Sequence, residues 1–477
     1  MGGIGQLHQR VTIGSLPDDI LLKIFKSFVD ATEIHGSVSE EWHTLVHVCR
    51  RWRYLAFTSP HHLNLQLLCR SPRTSVKEMM DLWPELPIYI HAIGYRVGAE
   101  RDDFLSAFRL NHRVSGIHLD GISESEWEKQ IAPLMQQPFP ALTHLWVQRD
   151  HLTRKAISRS FLCGSAPCLR VLHLDWSSFP ALPNLLLSAT NLVCLSYTNI
   201  LSSGYIPPQE MVTGLSALTR LESLSLAFRP ELPTYGQIRT PPPHTRTLLP
   251  ALTSICFEGV PEYMEDLVAQ IDAPLLESTK IALFPQEVIE VSELSKFVCR
   301  ADKLSLVDRA QITFNDYSIF VMLSQKLLGI DPKTLRLHLN CPESDLRLSY
   351  LTQFCASCLP TLSPSPFESL HIRVPSYYRW EDVIDDPHPQ WLELLCLFNT
   401  MKKLFLSKNV APRVAQVLRG LPAERVMEVL PALENVFILG LKPSGSVQEA
   451  ISEFADARQL SGHPVFISDW DGFNYRG

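Results

Sequence analysis

FPALTHLWV at residues 139–147 decides the fold, because its apolar spacing recurs along most of the chain. Leu142 is followed three residues later by Leu145 and two later by Val147. The same spacing returns at Leu169, Leu172 and Leu174, at Leu192, Leu195 and Tyr197, at Leu221, Leu224 and Leu226, and at Leu252, Ile255 and Phe257. Fainter copies follow at Leu304 and Leu306, Leu335 and Leu337, Leu370 and Ile372, Leu404 and Leu406, and finally Leu433, Val436 and Ile438. Positions two apart share one face of a strand. The lead-ins FPALTHL, APCLRVLHL, LPALTSI and LPALENV set a proline just before the leucines, where it would stop a helix and start a strand. Each copy therefore reads as one short parallel strand with a returning helix or loop, and stacked copies make an irregular solenoid. A doubly wound α/β sheet around one core is the competing reading, against which the near-regular spacing argues.

The copies lie about 23–35 residues apart, which overlaps and somewhat exceeds the leucine-rich-repeat period. The asparagine usual after the third apolar position is mostly missing, so the repeats are leucine-rich-like. Upstream, HLNLQLL places Leu63, Leu65 and Leu67 on one strand face, Thr74 to Leu82 reads as a helix, and PIYIHAI as the next strand. At the far end, Ser446 to Leu460 reads as a helix and PVFISDW as a strand closing the open edge. Loop insertions are expected at about 229–247, 342–367 and 375–391.

The totals agree with a folded chain. At 477 residues it exceeds one ordinary core. Hydrophobic residues make up 45% and charged residues 19%, which is ordinary globular composition. A net charge of −7 gives no whole-chain case for nucleic acid or an anionic membrane. The amino terminus MGGIGQLHQR has no secretory apolar core, the 11 cysteines are an odd number, and no Asn-x-Ser/Thr sequon occurs. Reduced thiols in a cytoplasmic or nuclear setting are expected. No apolar run reaches transmembrane length, and Gln6 sets aside a myristoylation reading of Gly2.

Ahead of the repeats stands SLPDDILLKIFKSFVD (15–30), then EWHTLVHVCRRWRYLAF (41–57). Leu16, Ile20, Leu21, Ile24, Phe25 and Phe28 recur at helical spacing, as do Trp42, Leu45, Val46, Cys49, Trp52 and Leu55. Ser15 is placed as a helix cap with Asp18 three residues on and Pro17 in the first turn. A polar loop from Ala31 to Glu40 leads to a second helix over Trp42 to Val48. A third carries Arg50, Arg51 and Arg53 on its polar side. These stretches hold more apolar surface than a short segment can bury alone.

Leu16-Pro17 with Ile20, Leu21, Ile24 and Phe25, followed by Val48-Cys49-Arg50-Arg51-Trp52-Arg53 and Leu55-Ala56, resembles the F-box, and more narrowly the F-box proteins abundant in mushroom-forming fungi. The loop Ala31 to Glu41 departs from the common pattern by its length. The resemblance implies a helical module over 12–60 that binds a Skp-type adaptor, and through it a cullin of a ubiquitin ligase, while the remainder selects a substrate protein. It assigns adaptor contact to Leu16, Pro17, Ile20, Leu21, Ile24, Phe25, Trp42, Val46, Cys49 and Trp52. Trp52, Leu55 and Phe57 could equally pack inward, since a small module must bury something. The fold class is α/β: the helical F-box module, then a leucine-rich-repeat-like solenoid over 61–477.

Catalytic and cofactor signals are missing from the sequence. Cys355-Ala-Ser-Cys358 has no second pair at zinc spacing, and no Walker loop, dinucleotide fingerprint, H-E-x-x-H or G-x-S-x-G occurs. The expectation is a noncatalytic adaptor with no cofactor or metal. A scaffold acting outside any ligase is the alternative, and an enzyme with dispersed active-site residues is a distant third. Tyr377, Tyr378, Arg379 and Trp380, in the last expected loop, are candidate substrate contacts because such residues anchor interfaces, although loop aromatics often pack on their own scaffold.

Overall fold

The computed structural model describes residues 13–32, 42–59, 63, 65–70, 86–93, 101–151, 155–230, 245–284, 291–301, 304, 308–315, 317–324, 334–341, 344–362, 367–375, 389–440 and 445–469. The expected helix at Thr74 to Leu82 lies outside them. The chain divides into two compact units, Met1–Thr153 with Ser158–Leu172, and Arg154–Ile157 with His173–Gly477.

The recurrent lead-in forms a turn. Its proline occupies the second position of four, where a fixed φ is favourable and no N–H is needed. The turn closes on the first leucine: the N–H of Leu142 donates to the Phe139 carbonyl (3.1 Å), that of Leu169 to Ala166 (3.1 Å), Leu252 to Leu249 (3.2 Å) and Leu433 to Leu430 (3.0 Å). The following residue then hooks onto its predecessor in the stack. Thr143 N–H donates to Ser115 O (2.8 Å), Arg170 to Thr143 (2.8 Å) and Thr253 to Glu222 (2.9 Å). The leucines of the pattern sit at 0–2% exposure, from Leu142 through Ile255 and Phe257.

In the first unit, helices α1 (Asp18–Thr32), α2 (Trp42–Val48) and α3 (Arg50–Thr58) precede strands β1 (Leu67–Arg70), β2 (Ile88–Ile93), β3 (Val114–Ile122) and β4 (His144–Arg149). These strands pair in chain order and all parallel, with Ile90 opposite Ile117 and Ile117 opposite Leu145. One core joins helices to strands: Leu21, Phe25, Val29, Trp42, Leu45, Val46, Leu55 and Ala56 pack with Leu63, Leu65, Leu67 and Leu86. Strand β5 (Val171–Asp175) follows.

The second unit contains β6 (Cys194–Ile200), β7 (Ser223–Phe228), a two-residue pair β8 (Thr247–Leu248) and β10 (Ile271–Asp272), and β9 (Ser254–Gly259), β11 (Ser278–Leu283), β12 (Arg309–Phe314), β13 (Ser318–Ser324), β14 (Thr334–Asn340), β15 (Ser369–Arg373), β16 (Lys403–Leu406), β17 (Asn435–Ile438) and β18 (Phe466–Asp469). The main order is β6-β7-β9-β11-β14-β13-β12-β15-β16-β17-β18. Pairing is parallel except around β13, which runs antiparallel to both β12 and β14. That reversal corrects the expectation of one parallel strand per copy. The faint copy at Leu304 gives no strand at Leu304 itself, whose N–H closes a turn on Ala301 (3.0 Å), and Leu306 lies outside the described residues. The strand begins instead at Arg309.

Two loop expectations also change. The stretch 342–367 holds the helix Ser344–Leu362, and 375–391 ends inside the helix Pro389–Cys396, where Trp391 is 1% exposed. Polar residues such as Ser344, Ser349, Thr352, Gln353 and Ser357 disguise the first as a loop, while Leu348, Leu351, Phe354, Cys355 and Cys358 face inward. Between helices, Glu265 on Pro261–Val268 supplies a cap that the next helix lacks. Its Oε2 accepts from the Glu293 N–H (2.8 Å) and its Oε1 from Leu294 N–H (2.8 Å), at the start of Ser292–Cys299. A buried carboxylate there satisfies orphan donors and meets the positive end of the helix dipole. The chain's last helix and strand fall where the pattern places them, with β18 ending the order beside β17.

Candidate functional site

The helix α1 carries two apolar stripes. Leu21, Phe25 and Val29 are buried at 0%, 0% and 4% exposure, whereas Ile20, Ile24 and Phe28 remain 36%, 39% and 36% exposed, in line with exposed Pro17. At 3.6 residues per turn, Pro17, Ile20, Ile24 and Phe28 form one continuous line, about a quarter turn from the inner stripe. The inner stripe closes on the rest of the module. Phe25 and Trp52 rings lie 4.7 Å apart, and Trp42 meets Phe57 edge-on at 6.4 Å.

Polar contacts fix the module's geometry. Arg51 Nε and Nη2 both donate to Asp18 Oδ1 (3.1 and 2.5 Å), and Nη2 also donates to the Leu16 carbonyl (2.6 Å). The start of α1 is thereby tied to α3. Arg51, which the sequence places on a polar face, has this internal duty; α1 itself begins at Asp18, with Pro17 O accepting from Leu21 N–H (3.0 Å). Arg53 Nε donates to Val46 O (2.9 Å), and Trp42 Nε1 to Gln66 O (3.0 Å). Cys49, in extended conformation, separates α2 from α3. Burial, with His47 nearby, pushes the His43 imidazole below its usual range.

The ten residues assigned to adaptor contact thus separate. Leu21, Phe25, Trp42 and Val46 are sealed in the core of the free chain, and Leu16 and Trp52 pack partly buried against that core. Pro17, Ile20, Ile24 and Cys49 face outward. Leu55 and Phe57 take the inward reading. Val48 and Tyr54 are exposed apolar groups at 58% and 68% that helical spacing does not single out. Tyr377, Tyr378, Arg379 and Trp380 lie outside the described residues, as does most of the long loop after α1.

Cys355 and Cys358 are each 1% exposed, and burial pushes their thiols up, Cys355 to about 12. Among the described residues no group of three His, Cys, Asp or Glu side chains is arranged to hold a metal, and no helix is long and apolar enough to cross a membrane.

Residues 13–64 match the F-box-like family, and no curated protein matches the chain. The boundaries of that match enclose α1, α2 and α3 and stop just before β1. F-box domains typically bind Skp-type adaptors, and F-box proteins are generally noncatalytic adaptors of ubiquitin ligases.

Proposed function

We propose that this chain is a substrate-recognition subunit of a Skp-cullin-F-box ubiquitin ligase, of the kind found in mushroom-forming fungi and working in the cytoplasm or nucleus. The F-box-like domain docks on a Skp-type adaptor, which joins it to a cullin. The region from 61 to 477, an irregular leucine-rich-repeat-like solenoid, holds a protein substrate. The observation that carries this reading is the outer stripe of α1 within the matched domain: Pro17, Ile20, Ile24 and Phe28 offer apolar surface that a partner can remove from water while the inner stripe keeps the module folded.

The mechanism is proximity. Holding the substrate beside a ubiquitin-charged enzyme raises the effective concentration of its lysines, with no chemistry required of this chain. Tyr377, Tyr378, Arg379 and Trp380 are assigned a share of substrate contact.

Co-expression of the full chain with its adaptor and cullin, followed by affinity capture, tests the reading. Wild type is expected to retain both partners, and Ile20→Gln/Ile24→Gln to capture markedly less of both while remaining soluble. Equal capture by the two proteins would refute the docking surface. Capture of adaptor without cullin would shift the reading to a scaffold outside the ligase.

A further inference from the structure

The second unit's sheet has an outward face whose charge departs from that of the chain. On β11, β14, β13, β12, β15 and β16 the side chains alternate between buried apolar residues and outward ones. The outward-facing positions carry Lys280, Arg336, Arg309, Arg373 and Lys403, with His338 on the same face and His371 buried between strands; these six strands place no carboxylate there, and Glu258 of neighbouring β9 stands at the edge of the set. Register makes Lys280 and Arg336 direct neighbours, puts Arg309 beside Ser369, and puts Lys403 on the far side of that serine. The chain as a whole is −7. No described residue forms an ion pair with Lys280, Arg336 or Lys403.

We propose that this face binds an acidic segment of a partner protein, rich in Asp and Glu, laid across the strands from Lys280 to Lys403. Strands lie about 4.8 Å apart, so the span is about 24 Å, which an extended peptide covers with about seven residues. The cations fall in two groups along that path: Lys280 and Arg336 side by side at one end, and Arg309 and Lys403, one row over and separated by Ser369, at the other. A spread of this length suits several separate carboxylates along one segment more than one compact dianion, which would reach only one of the two groups. Aromatic residues on the same face argue against nucleic acid. His371 stacks on Phe405 at 4.1 Å and 1°, and Phe405 on Phe437 at 4.5 Å and 10°. Both faces of Phe405 are thereby covered by neighbouring rings, whereas base stacking needs open faces. The surface therefore adds apolar edges beside the charges, as a peptide side chain would use. This inference gives a chemical class to the substrate and rests on the proposed function for its purpose, though not for its geometry.

Fluorescence anisotropy of labelled octaglutamate with the full chain tests it. The expected result is binding at 50 mM salt that weakens at least tenfold at 300 mM. Lys280→Glu/Arg336→Glu should weaken it at least tenfold, and Lys280→Gln/Arg336→Gln severalfold. Lys296→Glu, on a helix and already paired with Glu293, should leave it unchanged. No binding of octaglutamate, equal affinity in the charge-reversed protein, or tenfold tighter binding of a singly phosphorylated neutral peptide or of oligothymidylate would overturn the proposal. Adaptor capture by the same proteins reports on the F-box-like domain separately, so the two readings fail independently.

Discussion

Replacing Ile20 and Ile24 together with Gln should separate docking from folding. Each side chain is already about two-thirds covered within the module, with 36% and 39% exposed. Fully burying an isoleucine contributes about 1.5–3 kcal/mol, so covering the exposed remainder contributes about 0.6–1.1 kcal/mol per residue. The pair then accounts for about 1–2 kcal/mol of adaptor binding, or about 5- to 30-fold in Kd. Gln is at least as good a helix former as Ile, which keeps α1 intact. Titration calorimetry against purified Skp-type adaptor reads the affinity, and thermal unfolding of the free chain reads the fold. Leu21→Ala is the contrast: this fully buried leucine should cost about 2–5 kcal/mol of stability through the cavity it leaves. The reasoning is refuted if the double variant binds within twofold of wild type. It is equally refuted if the double variant destabilises the module as much as Leu21→Ala does.

Glu265→Ala strands the buried Leu294 N–H and the part-buried Glu293 N–H at the start of Ser292–Cys299; about 2–4 kcal/mol of stability should be lost, against a smaller loss for Glu265→Gln, as urea unfolding will measure. His371, pushed down to about 3 by burial and by Arg309 and Arg373, stays neutral in the folded chain while its unfolded counterpart takes a proton near pH 6.5. The unfolded state then binds more protons between those values, so stability falls as pH drops from 6.5 toward 3, by up to about 1.4 kcal/mol per pH unit. Urea midpoints across that range should fall more steeply with acid in wild type than in His371→Phe, and parallel slopes would remove His371 as the cause. Iodoacetamide at pH 7.5 should label exposed Cys49, Cys163 and Cys168 and spare Cys355 and Cys358, as peptide mass spectrometry will show.

The repeat leucines were legible because period-two alternation and a proline-led turn write burial directly into residue type. What the leucines could not reveal was strand direction. Arg309–Phe314 and Ser318–Ser324 alternate like any other strands, and the antiparallel sense depends on the short link at Asn315, whose N–H meets Ser318 O at 2.8 Å. The helix Ser344–Leu362 escapes a sequence reading for a related reason: its many hydroxyl and amide side chains are spread around it, so its composition resembles a loop. In the F-box-like domain, helical spacing identifies the apolar positions but not which stripe faces inward. That choice is made by Trp42, Trp52 and the leucines of β1, residues distant in sequence that must fill one core. Arg51's bond to the Leu16 carbonyl is likewise a tertiary matter that no local pattern encodes.

The inverted order β11-β14-β13-β12-β15 has a bearing on biosynthesis. In the second unit β6, β7, β9 and β11 can be laid down as the chain leaves the ribosome, each beside the last. β12 and β13 then arise with no place beside β11, since that position belongs to β14. Until Thr334–Asn340 is made, one flank of β11 is an unpaired edge exposing its N–H and C=O groups, the kind of edge that recruits other chains. β14 is thus an intercalating piece, contacting β11 on one side and the waiting hairpin on the other. A released chain that ends after Ser324 would carry that raw edge, whereas one that ends after Asn340 would have covered it.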